Sequence, residues 1–174
     1  MRYPATGSRS GRMAMGVAAI VAVVATGIAS PASADSKNTR IVLTQSAPTI
    51  VHEEGQDAQS ARGDVTFYEA DLTRAGKAFG TMSGTIETHD IVVDGAPRET
   101  RLRTLIFELP KGQLVAKGAS TYQTGPDFVP LDIGKPVVIA IIGGTGAYIG
   151  ATGELRTTRN ANGTYRQVIT LVRN

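Results

Sequence analysis

Glu69 and Asp71 are the two carboxylates whose spacing suggests chemistry. They lie two apart in GDVTFYEADLT, so on a strand they share one face with Val65 and Phe67. A face reading Val-Phe-Glu-Asp is unusual for a solvated surface and equally unusual for a core. Inside a barrel, carboxylates between apolar walls are costly to ionise. There they can stabilise a developing positive charge or move a proton. Turned the other way, the same face is plain surface charge, and strand parity decides between the two. Glu69 and Asp71 are therefore the candidate catalytic pair, with Phe67 as a candidate substrate contact. Tyr122 and Tyr165 are candidate cavity hydroxyls for substrate binding, and Arg101 or Arg103 a candidate countercharge. Ordinary packing or surface placement competes for each of these four.

Composition removes several other chemistries. The chain has no Cys and two His, His52 and His89. Metal-ligand spacing is absent, and thiol or Ser-His-Asp catalysis has little to stand on, so no metal and no cofactor are expected. His89, between Thr88 and Asp90, reads as a surface residue at a strand end.

The Gly-rich stretch VVIAIIGGTGAYIGATGELRTT, Val137 to Thr158, raises the question of a nucleotide loop. A dinucleotide fingerprint needs a strand, a Gly-rich turn, a helix and a downstream acid for the ribose. Gly150, Thr152, Gly153, Thr157 and Thr158 are poor helix material. No Asp or Glu follows Glu154. The glycines fit a tight turn between antiparallel strands instead, with Gly143, Gly144 and Gly146 supplying positive φ. Gly150 and Gly153 then allow a bulge or a close neighbour.

The elements that must carry these residues have a period of two. GDVTFYEADLT, AFGTMSGTIETHDI, ETRLRTLIFEL, QLVAKGASTYQ, VVIAII, YIGATGELRTT and TYRQVITLV read as strands. Asp94-Gly95, Pro110-Lys111-Gly112, Gly125-Pro126 and Asn160 to Gly163 read as turns or loops. With Ile41 to Gln45 the count is about eight short strands, and no segment has a helical apolar period. An all-β antiparallel domain follows. The glycines inside strands favour closure into a small barrel over a two-sheet sandwich.

The first 34 residues read as a leader rather than as part of the fold. Arg2, Arg9 and Arg12 form a basic segment, Met13 to Ala29 an apolar one, and Ala32-Ser33-Ala34 an A-x-A cleavage site. A secreted, extracellular protein exported by the general route is expected, since there is no twin arginine. Loss of those three arginines leaves 15 Lys and Arg against 15 Asp and Glu, so the formal charge of +3 belongs to the leader. No basic cluster remains to suggest nucleic acid. Residues 35–62 read as an N-terminal strand and polar loop, and residues 63–174 as the barrel of a single domain.

GGTGAYIGATGEL resembles the hallmark of the dirigent and allene oxide cyclase superfamily, at Gly143, Gly144, Thr145, Gly146, Tyr148, Gly150, Ala151 and Gly153. GKAFGTMSG, FELPKGQLVAKGAS and FYEAD are similar to further segments of those proteins in the same order. The resemblance implies an eight-stranded antiparallel β-barrel with a central apolar cavity, often assembled as a trimer, so a homo-trimer or homo-dimer is expected. It aligns Glu69 with the cyclases' cation-stabilising Glu, and Asp71 with the dirigent proteins' conserved aspartate. Ala70 stands where plant dirigent proteins have His, and the cyclases' Cys is missing. Three functions compete: an isomerase or cyclase acting on a hydrophobic metabolite in the barrel, a non-enzymatic carrier, and a cell-envelope protein with a vestigial pocket. Polar groups converging inside the barrel mark the first, a cavity with few polar groups the second, and a filled barrel the third.

Overall fold

The computed structural model describes residues 38–53, 62–90, 98–123 and 131–172. The expected leader, residues 54–61 of the expected polar loop, and the expected turns at Asp94-Gly95 and Gly125-Pro126 lie outside the described residues. The compact unit that holds the barrel is Ala34–Asn174. Its strands are β1 Thr39–Gln45, β2 Thr49–Glu53, β3 Val65–Arg74, β4 Lys77–Asp90, β5 Arg98–Leu109, β6 Gly112–Gln123, β7 Pro136–Gly144, β8 Thr152–Arg159 and β9 Tyr165–Val172.

The strands pair in the order β1-β9-β8-β7-β6-β5-β4-β3-β2, and β1 also pairs with β3. That second pairing, Thr44 with Thr73 and Gln45 with Leu72, closes β1 and β3 to β9 into an eight-stranded antiparallel barrel. The expected fold class is what the chain adopts. β2 continues β1 along β3, from Glu69 to Thr66, after a break at Ser46 to Pro48. The break is fastened to β3: the Ser46 N–H donates to the Asp71 carbonyl at 2.9 Å, and the Asp71 N–H donates to Ser46 Oγ at 3.0 Å.

Eight strands leave an interior just wide enough for side chains. In one half of this barrel they fill it. Leu43, Leu72, Met82, Leu105, Phe107, Leu114, Leu155 and Ile169 are all fully buried there. The expectation of a central apolar cavity meets a packed apolar half. A small interior cavity lies at the other end, where Gln45 and Arg103 stand among Pro48, Ile86, Leu131 and three tyrosines.

The Gly-rich stretch is not a nucleotide loop. It ends β7, makes one turn of 3-10 helix at Gly146–Tyr148, and enters β8. It is fixed against the β5–β6 hairpin: the Ala147 N–H donates to the Lys111 carbonyl at 2.8 Å and the Thr145 N–H to the Gln113 carbonyl at 2.9 Å. The expectation that three glycines supply positive φ needs correction. Of Gly143, Gly144 and Gly146, only Gly146 has it, at +59°. A Cβ on Gly146 would lie 2.4 Å from the Lys111 carbonyl oxygen, whereas one on Gly143 would meet nothing within 4 Å. Gly143 and Gly144 end β7, and Gly144 is needed for close approach, since a Cβ there would lie 2.5 Å from the Gln113 carbonyl oxygen.

Gly146→Val is expected to cost about 3 kcal/mol, because a β-branched residue is strained at positive φ and cannot clear the hairpin. Gly143→Ala is expected to stay within about 0.5 kcal/mol of wild type. Thermal melts of the two variants check this pair of outcomes.

Candidate functional site

β5 sets the character of both halves of the barrel. Its inward residues alternate along the strand as Glu99, Arg101, Arg103, Leu105, Phe107 and Leu109, and all six are buried. Neighbouring strands match this gradient. Opposite the apolar end of β5 stand Met82 and Leu114, and opposite the charged end stand Thr88, Ser120 and Tyr122.

Burying three charges is costly unless each is paired. Glu99 is fully buried and forms an ion pair with Arg101. The Arg101 guanidinium lies 4.6 Å from the centre of the Tyr122 ring, whose face attracts a cation. Arg103 is hydrogen-bonded to the Tyr68 hydroxyl. Tyr68 reaches it because Gly84 stands opposite on β4. A Cβ on Gly84 would fall 2.3 Å from the Tyr68 ring, so only glycine leaves room for it. Beyond this cluster, Thr157 donates to Gln167 Oε1 at 2.7 Å, and Gln167 donates through Nε2 to Gln45 Oε1 at 2.6 Å. This buried chain ties β8 and β9 to β1.

Two donors of Arg103 are left over. Its Nε and Nη1 are buried and have no hydrogen-bond partner among the described residues. A buried donor without an acceptor costs about 1–3 kcal/mol. The side chain is 4% exposed, and it faces a cavity of about 30 Å³ bounded by Gln45, Pro48, Tyr68, Tyr122, Leu131 and Tyr165. That volume suits a water-sized group. The buried cluster holds one carboxylate against two guanidinium groups, so the cavity is electropositive.

The expected site residues fall into two groups. Tyr122 and Tyr165 point inward and are buried, as do Arg101 and Arg103. Phe67, Glu69 and Asp71 point outward, which corrects their expected place inside the barrel. The inner face of β3 carries Thr66, Tyr68, Ala70 and Leu72 instead. The cause is parity: one residue of register moves the whole set to the other face. Glu69 and Asp71 line a groove on the outer surface with Thr49, Thr81, Ser83 and Glu108. His89 is exposed at the end of β4, with Nε2 3.7 Å from Glu87 Oε1. Tyr68, Glu99, Gln45 and Gln167 did not stand out in the sequence. Of these only Glu99 has a visible signal, the strict alternation of ETRLRTLIFEL, which puts it and both arginines on the face of Leu105 and Phe107.

Burial raises the Tyr68 hydroxyl above its ordinary value, against a smaller opposing pull from Arg103. Burial raises Tyr165 as well, with Arg159 opposing. Burial acts against the charge on Arg103, while Tyr122 and Tyr68 favour it. The balance is upward, so the guanidinium stays charged. The arrangement thus presents a fixed positive charge and neutral hydroxyls to whatever enters the cavity.

No family model matches the chain, and no curated protein matches it. Solved structures do. A pyocyanin demethylase superposes with a TM-score of 0.59 at 21% identity, covering 77% of this chain and all 100% of its own. The Diels-Alderase AbmU from Streptomyces koyangensis gives 0.57 at 15% identity, over 82% of this chain and 72% of its own. A nonspecific heme-binding cyclase that catalyses a cycloaddition in neoabyssomicin biosynthesis gives 0.56 at 14%, over 78% of this chain and 65% of its own. These likenesses are of fold: the chain shares the barrel of these proteins.

The raised tyrosines fix a pH dependence. Folding holds Tyr68 and Tyr165 protonated to higher pH than the unfolded chain does. Their contribution is complete below the ordinary tyrosine pKa of about 10, and it declines as pH rises from there through the folded values. Denaturant melts above pH 10 should show falling stability. Tyr68→Phe should flatten that decline, and an unaltered slope would count against a buried, protonated Tyr68.

Proposed function

We propose that the protein binds a hydrophobic, oxygen-bearing small molecule at the polar end of the barrel and directs its isomerisation or cyclisation without a cofactor. The observation that carries this is the buried pair of unpartnered Arg103 donors beside the Tyr68 hydroxyl. An occupant must bring an acceptor, and a carbonyl oxygen fits both the donors and the small volume. The oxygen enters the cavity, and the apolar body lies over Pro48, Leu131 and Tyr165 at its edge.

In such a pose Arg103 draws electron density toward the oxygen, as preorganised donors do for charge that develops during reaction. A conjugated carbonyl compound polarised in this way is a better electrophile, and a bound geometry close to the product's lowers the entropic barrier. The rearrangement is internal to the substrate, so no co-reactant is needed. The barrel neighbours named as cyclase and Diels-Alderase support this reading. The dirigent and allene oxide cyclase resemblance in the Gly-rich stretch supports it as well. A second reading, a cell-envelope protein with a vestigial pocket, is favoured by the filled apolar half of the interior. Export of the protein and its assembly as a homo-trimer or homo-dimer belong to the same proposal.

Benzophenone and diphenylmethane, alike in shape and differing in one carbonyl, test the reading. Wild type is expected to bind benzophenone about tenfold more tightly or better, the preference a charge-assisted hydrogen bond supplies. Arg103→Met should erase that preference. Equal affinities in wild type would sink it. Glu69→Gln with Asp71→Asn should leave benzophenone binding unchanged, because both carboxylates face away from the barrel interior. N-terminal sequencing of protein from the culture medium checks export, with Asp35 as the expected first residue.

A further inference from the structure

The apolar end of the barrel, opposite the Arg103 cavity, carries a second and much larger opening. It is a cleft of about 660 Å³, within the range of small-molecule sites. The start of β1, the β3–β4 turn, the β5–β6 turn, the segment after Gly146 and the end of β9 surround it. Buried Ile41 and Leu171 form its floor, with Phe79 and Tyr148 packed beside them. Ile149 stands on the rim, 80% exposed, which is far more than an aliphatic side chain of its size needs to be.

The charges around this cleft have one sign. Arg40, Arg74 and Lys111 line it, and no carboxylate does among the described residues. They come from three separate elements, so their convergence is a product of the fold. The Arg74 guanidinium is held 5.3 Å from the centre of the Phe79 ring. Lys111 sits on the hairpin turn whose carbonyl accepts the Ala147 N–H at 2.8 Å. The wall made by Ala147 to Ala151 is therefore fixed to the turn that carries Lys111. Three like charges around an apolar floor repel one another until an anion enters. The packed apolar half of the barrel separates this cleft from the Arg103 cavity.

We propose that this cleft is a second binding site, for a free single-chain anionic amphiphile. Its acyl chain lies on Ile41, Leu171, Phe79 and Tyr148, and its carboxylate lies among Arg40, Arg74 and Lys111. The site is independent of the Arg103 cavity.

Calorimetric titration of the purified protein with decanoate and with decyltrimethylammonium, both below their micellar concentrations, tests it. Decanoate should show one saturable site, and the cation of similar chain length should bind at least about tenfold more weakly. Arg40→Gln with Arg74→Gln, both exposed and outside the core, should weaken decanoate about tenfold or more, and added salt should weaken it further. Arg103→Met should leave decanoate binding unchanged. Four results would overturn the proposal: no saturable decanoate binding, equal affinity for anion and cation, loss of binding in Arg103→Met, or binding to phosphatidylglycerol vesicles without binding to free decanoate. The third would put the amphiphile in the other end of the barrel, and the fourth would make this face a membrane contact.

Discussion

A closed ring of eight strands has an interior just wide enough for its own side chains or for one small ligand. Each inward residue must be accommodated by the inward residues of the other strands. In this protein that constraint is met by a gradient along β5, from Leu105, Phe107 and Leu109 at one end to Glu99, Arg101 and Arg103 at the other. The apolar end packs to completion and carries the stability. At the charged end Tyr68, Tyr122 and the Glu99–Arg101 ion pair are the partners of the buried charges. Among the buried atoms left without a hydrogen bond are two Arg103 donors, and Arg103 lines the small interior cavity.

The glycines serve this arrangement in two places. Gly84 has no side chain, and the space is taken by the Tyr68 ring, which brings its hydroxyl to Arg103. Gly146 lets the segment after β7 dock on the β5–β6 hairpin, and so fixes the wall of the cleft at the opposite end. The Gly-rich stretch that suggests a phosphate loop on first reading is thus a structural joint between two turns.

Much of the fold was legible in the sequence. Period-two patterning from Gly63 onward and the turn residues between segments are local signals, and they gave an all-β antiparallel chain with nearly the right strands. The site was legible only in part. Tyr122, Tyr165, Arg101 and Arg103 were visible as candidates, but Phe67, Glu69 and Asp71 were placed inside when they face out. In VTFYEADLTR both faces mix apolar and polar residues, Thr-Tyr-Ala-Leu on one and Phe-Glu-Asp on the other. Composition alone therefore could not choose between them, and the choice was made by pairing with β1 and β4. β5 offered a clearer alternation, yet an inward Glu-Arg-Arg run runs against the habit that charges face water. Its partners lie on other strands, and no local pattern announces them.

The central claim is that Arg103 keeps buried donors for the oxygen of a bound molecule. The infrared carbonyl stretch of protein-bound benzophenone reads this directly, because donation to the oxygen weakens the bond and lowers its frequency. The account predicts a bound carbonyl absorbing below its frequency in water, moving toward its value in alkane when Arg103 is replaced by Met. The same frequency in wild type and in Arg103→Met would contradict it.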